Sequence, residues 1–291
     1  MTRSTSLSDP VRQLWARTSP CTLCPRRCQV NRQEGEHGFC GIGALPVVSS
    51  VAPHFGEESV LVGPGGSGTV FFAGCNLGCT FCQNYDISHR RAGRKITTEQ
   101  LTDALLRLQE MGCANVNFVT PTHVVAPVAA SIELARAKGL TIPIVYNSGG
   151  YDAAETLGLL EGFIDIYMPD MKYADGKAAG ELSEAPDYPE VNFAALREMH
   201  RQVGDLQIEK GLARRGLLVR HLVLPNDVAG STTIIDFLAD EIGPRTAINV
   251  MDQYRPCYLA HAHPEIDRRP TRAEITAVRQ YAIDRELTVL D

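Results

Sequence analysis

Nine cysteines, Cys21, Cys24, Cys28, Cys40, Cys75, Cys79, Cys82, Cys113 and Cys257, dominate the chemistry available to this chain. Seven of them fall within the first 82 residues, in two tight groups. The chain is long, at 291 residues, and the cysteine count is odd, so a disulfide framework fits badly and metal ligation fits better. The second group, Cys75-Asn-Leu-Gly-Cys79-Thr-Phe-Cys82, presents three thiols at C-x3-C-x2-C spacing. Thiolates ligate iron–sulfur clusters, and this spacing departs from the C-x2-C-x2-C run of ferredoxins. Three protein ligands on a [4Fe–4S] cluster leave one iron open, and no fourth ligand lies nearby in sequence. The alternative is a zinc knuckle completed by a distant fourth ligand.

The first group, Cys21-x2-Cys24-x3-Cys28-x11-Cys40, is a complete set of four. Four thiolates saturate a tetrahedral zinc ion, or hold a [4Fe–4S] cluster with every iron ligated. Spacing does not separate these. The surrounding segment, with Pro25, Gly35, Gly38, Gly41 and Gly43, is a knuckle too small to bury its own core, so it needs a staple. Arg26, Arg27 and His37 read as solvated, and so does the loop carrying His54, Glu57 and Glu58. Cys113 reads as packing, Cys257 as a candidate at a cavity mouth, and His261 and His263 as a surface loop.

These groups sit within a regular alternation. A short helix is expected around Val11–Arg17 and an extended piece over Pro46–Ala52. From residue 69, apolar strands over 69–73, 115–119, 143–146, 164–168, 217–224 and 247–251 alternate with helices over 97–112, 126–138, 153–161, 194–203, 232–241 and 273–286. Near-continuous apolar strands separated by helices predict parallel βα units. Each strand runs into an unusual polar segment (CNLGCTFCQN, TPTH, NSGGY, PDMK, PND, DQYRP), which favours one shared cavity at the strand C-termini. The expected fold is α/β, a partial (β/α)6 barrel over 69–291 preceded by an extension, 1–68, with the four-cysteine knuckle. Residues 174–192 are a candidate lid.

The three cysteines, the aromatic Phe81 before the third, and their place after the first strand resemble the radical S-adenosylmethionine (SAM) superfamily. The combination of CTLCPRRC, GFCG, APHFGEE, FFAGCNLGCTFCQN, VTPTH, YNSGGY, MPDMKY and QYRP most resembles an uncharacterised branch of the pyruvate formate-lyase activating enzyme family. The resemblance implies that the open iron chelates the amino and carboxylate groups of SAM. It implies further that the reduced cluster cleaves the sulfonium to methionine and a 5′-deoxyadenosyl radical that abstracts hydrogen. Asn84, Asp170, Lys172 and Arg220 match that family's polar positions. Asp170, Lys172 and Arg220 either contact SAM or substrate, Arg220 as a fork to the SAM carboxylate, or form structural ion pairs. The segment that usually meets the methionine amine is replaced here by Val119-Thr-Pro-Thr-His123. Asn117, Thr120 and Thr122 are the substitutes, with helix capping the alternative for the threonines. Asn147, Ser148 and Gly149 are candidates for ribose or carboxylate. Gln253, Tyr254 and Arg255, after the sixth strand, are further candidates for the substrate side.

Composition narrows the remaining choices. Twenty-eight basic against thirty-four acidic residues give a net charge of −6, which argues against a nucleic-acid backbone as ligand. No apolar run approaches the roughly 18 residues that span a membrane, and the polar N-terminus lacks a secretory pattern, so a cytoplasmic location is expected. The expected function is radical SAM chemistry on a glycyl-radical enzyme, or else on a small molecule or peptide. Flavodoxin or ferredoxin is the electron donor this implies. A non-catalytic iron–sulfur electron carrier is the rival of a different class.

Overall fold

The computed structural model describes residues 7–290, so the first six residues of the polar lead-in lie outside it. Ten strands form one sheet: β1 (Val47–His54), β2 (Ser67–Phe72), β3 (Arg94–Lys95), β4 (Val116–Val119), β5 (Ile144–Ser148), β6 (Ile166–Pro169), β7 (Gln207–Glu209), β8 (Leu212–Leu222), β9 (Ala247–Met251) and β10 (Thr288–Leu290). Nine helices accompany them among the described residues: α1 (Asp9–Ala16), α2 (Tyr85–Ser88), α3 (Thr98–Glu110), α4 (Val125–Ala137), α5 (Ala154–Leu157), α6 (Gly176–Ser183), α7 (Tyr188–Val203), α8 (Ser231–Phe237) and α9 (Arg272–Asp284).

The six strands expected from the sequence are β2, β4, β5, β6, β8 and β9. They lie side by side, all parallel, in chain order. β10 extends this run beyond β9, while β1 pairs antiparallel with β2 and β3 with β1. The order β10-β9-β8-β6-β5-β4-β2-β1-β3 is an open α/β sheet, as expected for a partial barrel. Because β1 is hydrogen-bonded along β2, the N-terminal extension is built onto the sheet. Strand register then aligns the C-terminal ends: Phe71 pairs with Val119, Val119 with Asn147, and Asp170 bridges to Arg220.

Local chemistry accounts for the flanking helices. Thr97 and Gln100 form a capping box at α3, whose inner face buries Leu101, Leu105 and Leu108. α4 buries residues on nearly every side because α1 lies over it, with Val11 and Leu14 fully buried and Ser8 N donating to Glu133 Oε1 at 3.0 Å. The expected helix over 153–161 is one α-turn followed by a 3₁₀ turn, Gly158–Leu160. A hairpin absent from the sequence reading joins β7 to β8 through Lys210 and Gly211, both at positive φ, as a tight two-residue turn demands.

Residues 174–192 are a fixed wall rather than a lid. Asp175 caps α6 by accepting from Ala178 N at 2.9 Å, and Pro189 sits in the first turn of α7. Leu182 and Tyr188 are buried. Tyr188 Oη donates toward the carbonyls of Gly149 and Asp170, both at 2.9 Å.

The turn after β5 is the tightest point of this packing. Gly150 has φ +73°, and a Cβ there would lie 2.1 Å from the Asp170 carbonyl oxygen. Gly139 also has positive φ (+101°) but open space around it. Gly139→Ala should therefore lower unfolding free energy by about 1 kcal/mol, from backbone strain alone. Gly150→Ala should cost roughly 2–4 kcal/mol by denaturant unfolding, because strain and clash add. Equal losses in the two variants would show that the approach of Asp170 is not limiting.

Candidate functional site

One cavity of about 1770 Å³, its open mouth included, lies at the C-terminal ends of the parallel strands. Its wall includes Cys75, Cys79, Cys82, Phe81, Asn84, Thr120, Asn147, Ser148, Gly149, Asp170, Lys172 and Arg220, all singled out from the sequence. Asn117 is not on this wall. It precedes Val119 by two residues on β4, on the same face but one layer deeper. It is fully buried there, with neither amide atom partnered among the described residues.

The three thiols are carried by a loop held from several sides. Leu77 N donates to Cys75 Sγ at 3.4 Å, Ser183 Oγ lies 3.0 Å from Cys79 Sγ, and Ser88 Oγ lies 3.1 Å from Cys82 Sγ. Asn76 Nδ2 donates to the Tyr151 carbonyl at 2.6 Å, and Gly78 N and Thr80 N donate to the carbonyls of Ser183 and Leu182. Burial pushes the Cys75 and Cys79 thiols up, while the neighbouring Lys172 ammonium pulls both down. The donor set fits a [4Fe–4S] cluster: three sulfurs, sulfur-directed hydrogen bonds, an adjacent cation, and no fourth cysteine or histidine on the cavity wall.

The polar groups around the thiols divide by whether their bonding is already complete. Ser148 Oγ donates to Asp152 Oδ2 at 2.7 Å, and the same buried carboxylate accepts from Thr122 Oγ1 at 2.7 Å and Tyr146 Oη at 2.9 Å. Thr122 thus braces the second βα loop against the third and is absent from the cavity wall. The Asn147 and Asn84 side chains make no hydrogen bond among the described residues, so both amides remain available. Thr120, a β-branched residue, holds φ at +59°, a strained conformation that marks functional turns. Its N–H donates to the Asn147 carbonyl at 2.8 Å, locking the two loops together.

Two ion pairs occupy the charged positions. Lys172 Nζ lies 2.6 Å from Asp170 Oδ2. Burial works to lower the Lys172 pKa, but Asp170 and Cys79 hold it above the usual lysine range. Arg220 grips Glu58 with both arms of its fork, Nε to Oε1 at 2.7 Å and Nη2 to Oε2 at 2.6 Å, and also bonds Glu57. Asn249 Nδ2 adds a bond to Glu58 at 2.8 Å. One expectation is corrected here: Glu57 and Glu58 are not a solvated loop. Of the two readings open for Arg220, the structure shows the ion pair, its fork engaged by carboxylates of the chain itself. The reason is elementary: a guanidinium on a buried strand demands a partner, and β1 delivers the following loop to it.

Other expectations resolve similarly. Tyr254 is buried, donates to the Ile266 carbonyl and packs edge-on against Phe81; Gln253 lines the cavity, whereas Cys257 and Arg255 do not. Cys113 is buried as a packing residue. Arg26 is not solvated. Its Nε donates to the Asn76 carbonyl at 2.9 Å and its guanidinium stacks 3.8 Å over Phe39. The sequence reading missed Ser88, Ser183, Asn249 and His123. His123 Nε2 donates to the Ala73 carbonyl at 2.8 Å, and burial pushes its pKa down to about 3, so the ring is neutral. Of these, His123 stood inside TPTH and Ser183 inside the candidate lid 174–192, both segments already singled out, though not for these contacts.

Cys21, Cys24, Cys28 and Cys40 line a second, smaller void together with Arg32 and Asn76. Burial pushes the Cys24 thiol up to about 12 and raises Cys40 as well.

The family model described as the Radical SAM superfamily matches residues 69–204. An uncharacterized protein of Methanocaldococcus jannaschii is 34% identical over 271 residues, covering 90% of this chain and 74% of that protein. A pyruvate formate-lyase-activating enzyme of Clostridium pasteurianum is 28% identical over 118 residues, 39% of this chain and 48% of that enzyme. The structure of a radical SAM methyltransferase from Sphaerobacter thermophilus matches with a TM-score of 0.50 at 16% identity, a likeness of fold. The match covers 76% of this chain and 65% of the methyltransferase chain.

Burial raises the Glu58 pKa, but its bonds to Arg220 lower it further, so the net shift is downward. The pair therefore stabilises the fold at neutral pH and loses that contribution as pH falls through the folded pKa. Arg220→Met leaves a buried, uncompensated carboxylate and should cost about 3–5 kcal/mol at pH 7. The gap from wild type should narrow as pH falls toward the normal glutamate value of about 4.3, because protonation neutralises Glu58. Denaturant unfolding at pH 7 and pH 5 measures both; a gap unchanged with pH would contradict the pairing.

Proposed function

Because the chain belongs to the radical SAM superfamily, we propose that it is an oxidoreductase that reductively cleaves SAM at a [4Fe–4S] cluster held by Cys75, Cys79 and Cys82. The carrying observation is three thiols on one cavity wall that, among the described residues, is lined by no fourth cysteine and no histidine. When bound by Cys75, Cys79 and Cys82, a reduced cluster would supply the electron for reductive cleavage of SAM to methionine and a 5′-deoxyadenosyl radical.

The chain's own residues orient and seclude that chemistry. Leu77 N, Ser183 Oγ and Ser88 Oγ hold the three sulfurs. Lys172 offsets their negative charge while tethered to Asp170. Asn147, Asn84 and Thr120, together with the Gly149 backbone, are the SAM contacts. Phe81, wedged against Tyr173 and Tyr254, keeps the cluster side of the cavity apolar. Arg220 acts indirectly, by fixing Glu57 and Glu58 on the opposite wall.

The substrate reading is abstraction of hydrogen from a glycine of a partner enzyme, supported by the likeness to a pyruvate formate-lyase-activating enzyme over 118 residues and by the open cavity mouth. A low-potential carrier such as flavodoxin or ferredoxin supplies the electron. All nine cysteines are free, which suits a reducing, cytoplasmic compartment. The cysteines of the N-terminal knuckle hold a second metal centre, zinc or iron–sulfur.

Anaerobically reconstituted protein, reduced in the presence of SAM, should release 5′-deoxyadenosine and methionine. Changing any one of Cys75, Cys79 or Cys82 to Ala should abolish both products; cleavage retained in such a variant, or absent from fully iron-loaded wild type, would sink the assignment. Asn147→Ala should weaken SAM binding by about 10–100-fold, the loss of one hydrogen bond to a charged group. Unchanged affinity would remove Asn147 from the contact set.

A further inference from the structure

We propose that Cys21, Cys24, Cys28 and Cys40 hold a second [4Fe–4S] cluster, with a thiolate on every iron, and not a zinc ion. This rests on the proposed second metal centre, commits it to one chemistry, and is argued from the residues around the N-terminal void.

The first observation is the space between the sulfurs. All four cysteines line one void of about 300 Å³, its mouth included. Zinc holds each thiolate about 2.3 Å from a single point, so a Cys₄ zinc site closes around the ion and leaves no void. Among the described residues, no three Cys, His, Asp or Glu side chains form a group able to hold a single metal ion. The Cys75 set shares this property, although its residues fit a multi-iron cluster. A cluster separates its ligands by its own body, which agrees with four thiols that line a void.

The second observation is charge. Arg32 is 2% exposed and lines the same void. Its bonds go to the carbonyls of Gly43 and His123, at 2.6 and 2.7 Å, and it forms no ion pair among the described residues. A buried guanidinium without a carboxylate calls for an anion. Its Nη1 lies 3.9 Å from Cys21 Sγ, so a thiolate-ligated cluster in the void supplies that anion. Phe39 N donates to Cys28 Sγ at 3.4 Å, a sulfur-directed bond of the kind that surrounds cluster ligands. Gly38 keeps the loop close, since a Cβ there would sit 2.7 Å from the Cys28 sulfur.

The position of this void adds a third point. Asn76, the residue after Cys75, forms part of its wall, and Arg26 reaches from the knuckle to the Asn76 carbonyl. Gly74, the residue before Cys75, packs so closely that a Cβ would meet the Cys40 carbonyl oxygen at 2.7 Å. The two cysteine sets therefore share one wall, made of the residues that flank Cys75.

The test is metal and sulfide analysis of the full chain, purified and reconstituted anaerobically. In a variant with Cys75, Cys79 and Cys82 all changed to Ala, about four irons and four sulfides per chain should remain, with zinc absent. A reduced-state paramagnetic signal should accompany them. Wild type should carry about twice that iron and sulfide. One zinc in the triple variant with no iron or sulfide overturns the proposal, and so does a folded triple variant with no metal at all. Failure of the Cys75 reading looks different: wild type and triple variant would then hold the same four irons. Arg32→Gln in the triple-variant background should lower the reduction potential of the remaining cluster; an unchanged potential would overturn the placement of Arg32 beside it.

Discussion

A loop with no strand and almost no helix of its own has to hold three thiols against one cavity, and the rest of the molecule is arranged around that constraint. Residues 74–82 are fixed from outside. The neutral His123 ring bonds the carbonyl of Ala73 just before the loop. Tyr151 and Arg26 hold Asn76 from both sides, and α6 accepts the amides of Gly78 and Thr80. Leu259 N donates to the Thr80 carbonyl from the far end of the sheet. Each anchor comes from a different part of the chain, so the thiols are placed only once the whole fold has formed. This is the preorganisation a cluster site needs, because thiols that had to be gathered on binding would lose ordering entropy at that moment.

Electrostatics follows from the same burial. The cavity carries two cations, Lys172 and Arg220, each tied to carboxylates within the chain. Pairing makes the charges tolerable in a partly dry site and keeps the side chains from collapsing onto the thiols. The groups left free are neutral: the side-chain amides of Asn147 and Asn84, both on the cavity wall. A zwitterionic ligand such as SAM would thus be received by oriented dipoles, with Lys172 the cation nearest the sulfurs. The strain at Thr120 belongs to this economy of contacts, for it turns β4 sharply at the cavity edge.

Much of this was legible in the sequence, for identifiable reasons. The six central strands are apolar on both faces, so each stands out as a short continuous run, and the polar segment after each marks the shared cavity. The C-x3-C-x2-C spacing carries its chemistry locally. What escaped was non-local. Arg220 and Glu58 are 162 residues apart, and no periodicity links them. Ser183 reaches Cys79 from α6, in a stretch rich in Gly, Ala and acidic residues that reads as loop. β10 is only three residues long and carries no pattern of a buried strand; β1, mostly exposed, was expected as an extended piece but not as a partner of β2. Asn117 shows the limit of reading by position: it stands near the segment that replaces the family's amine contact, yet it is fully buried and off the cavity wall.

The central claim is an iron left open by a three-thiol site. It is tested most directly by electron paramagnetic resonance of the anaerobically reduced protein with and without SAM, in a variant lacking the four N-terminal cysteines so that only the Cys75 site contributes. Binding of SAM to an open iron should shift the g-values of the reduced cluster. A spectrum unchanged by saturating SAM, in protein whose cluster is fully loaded, would contradict the account.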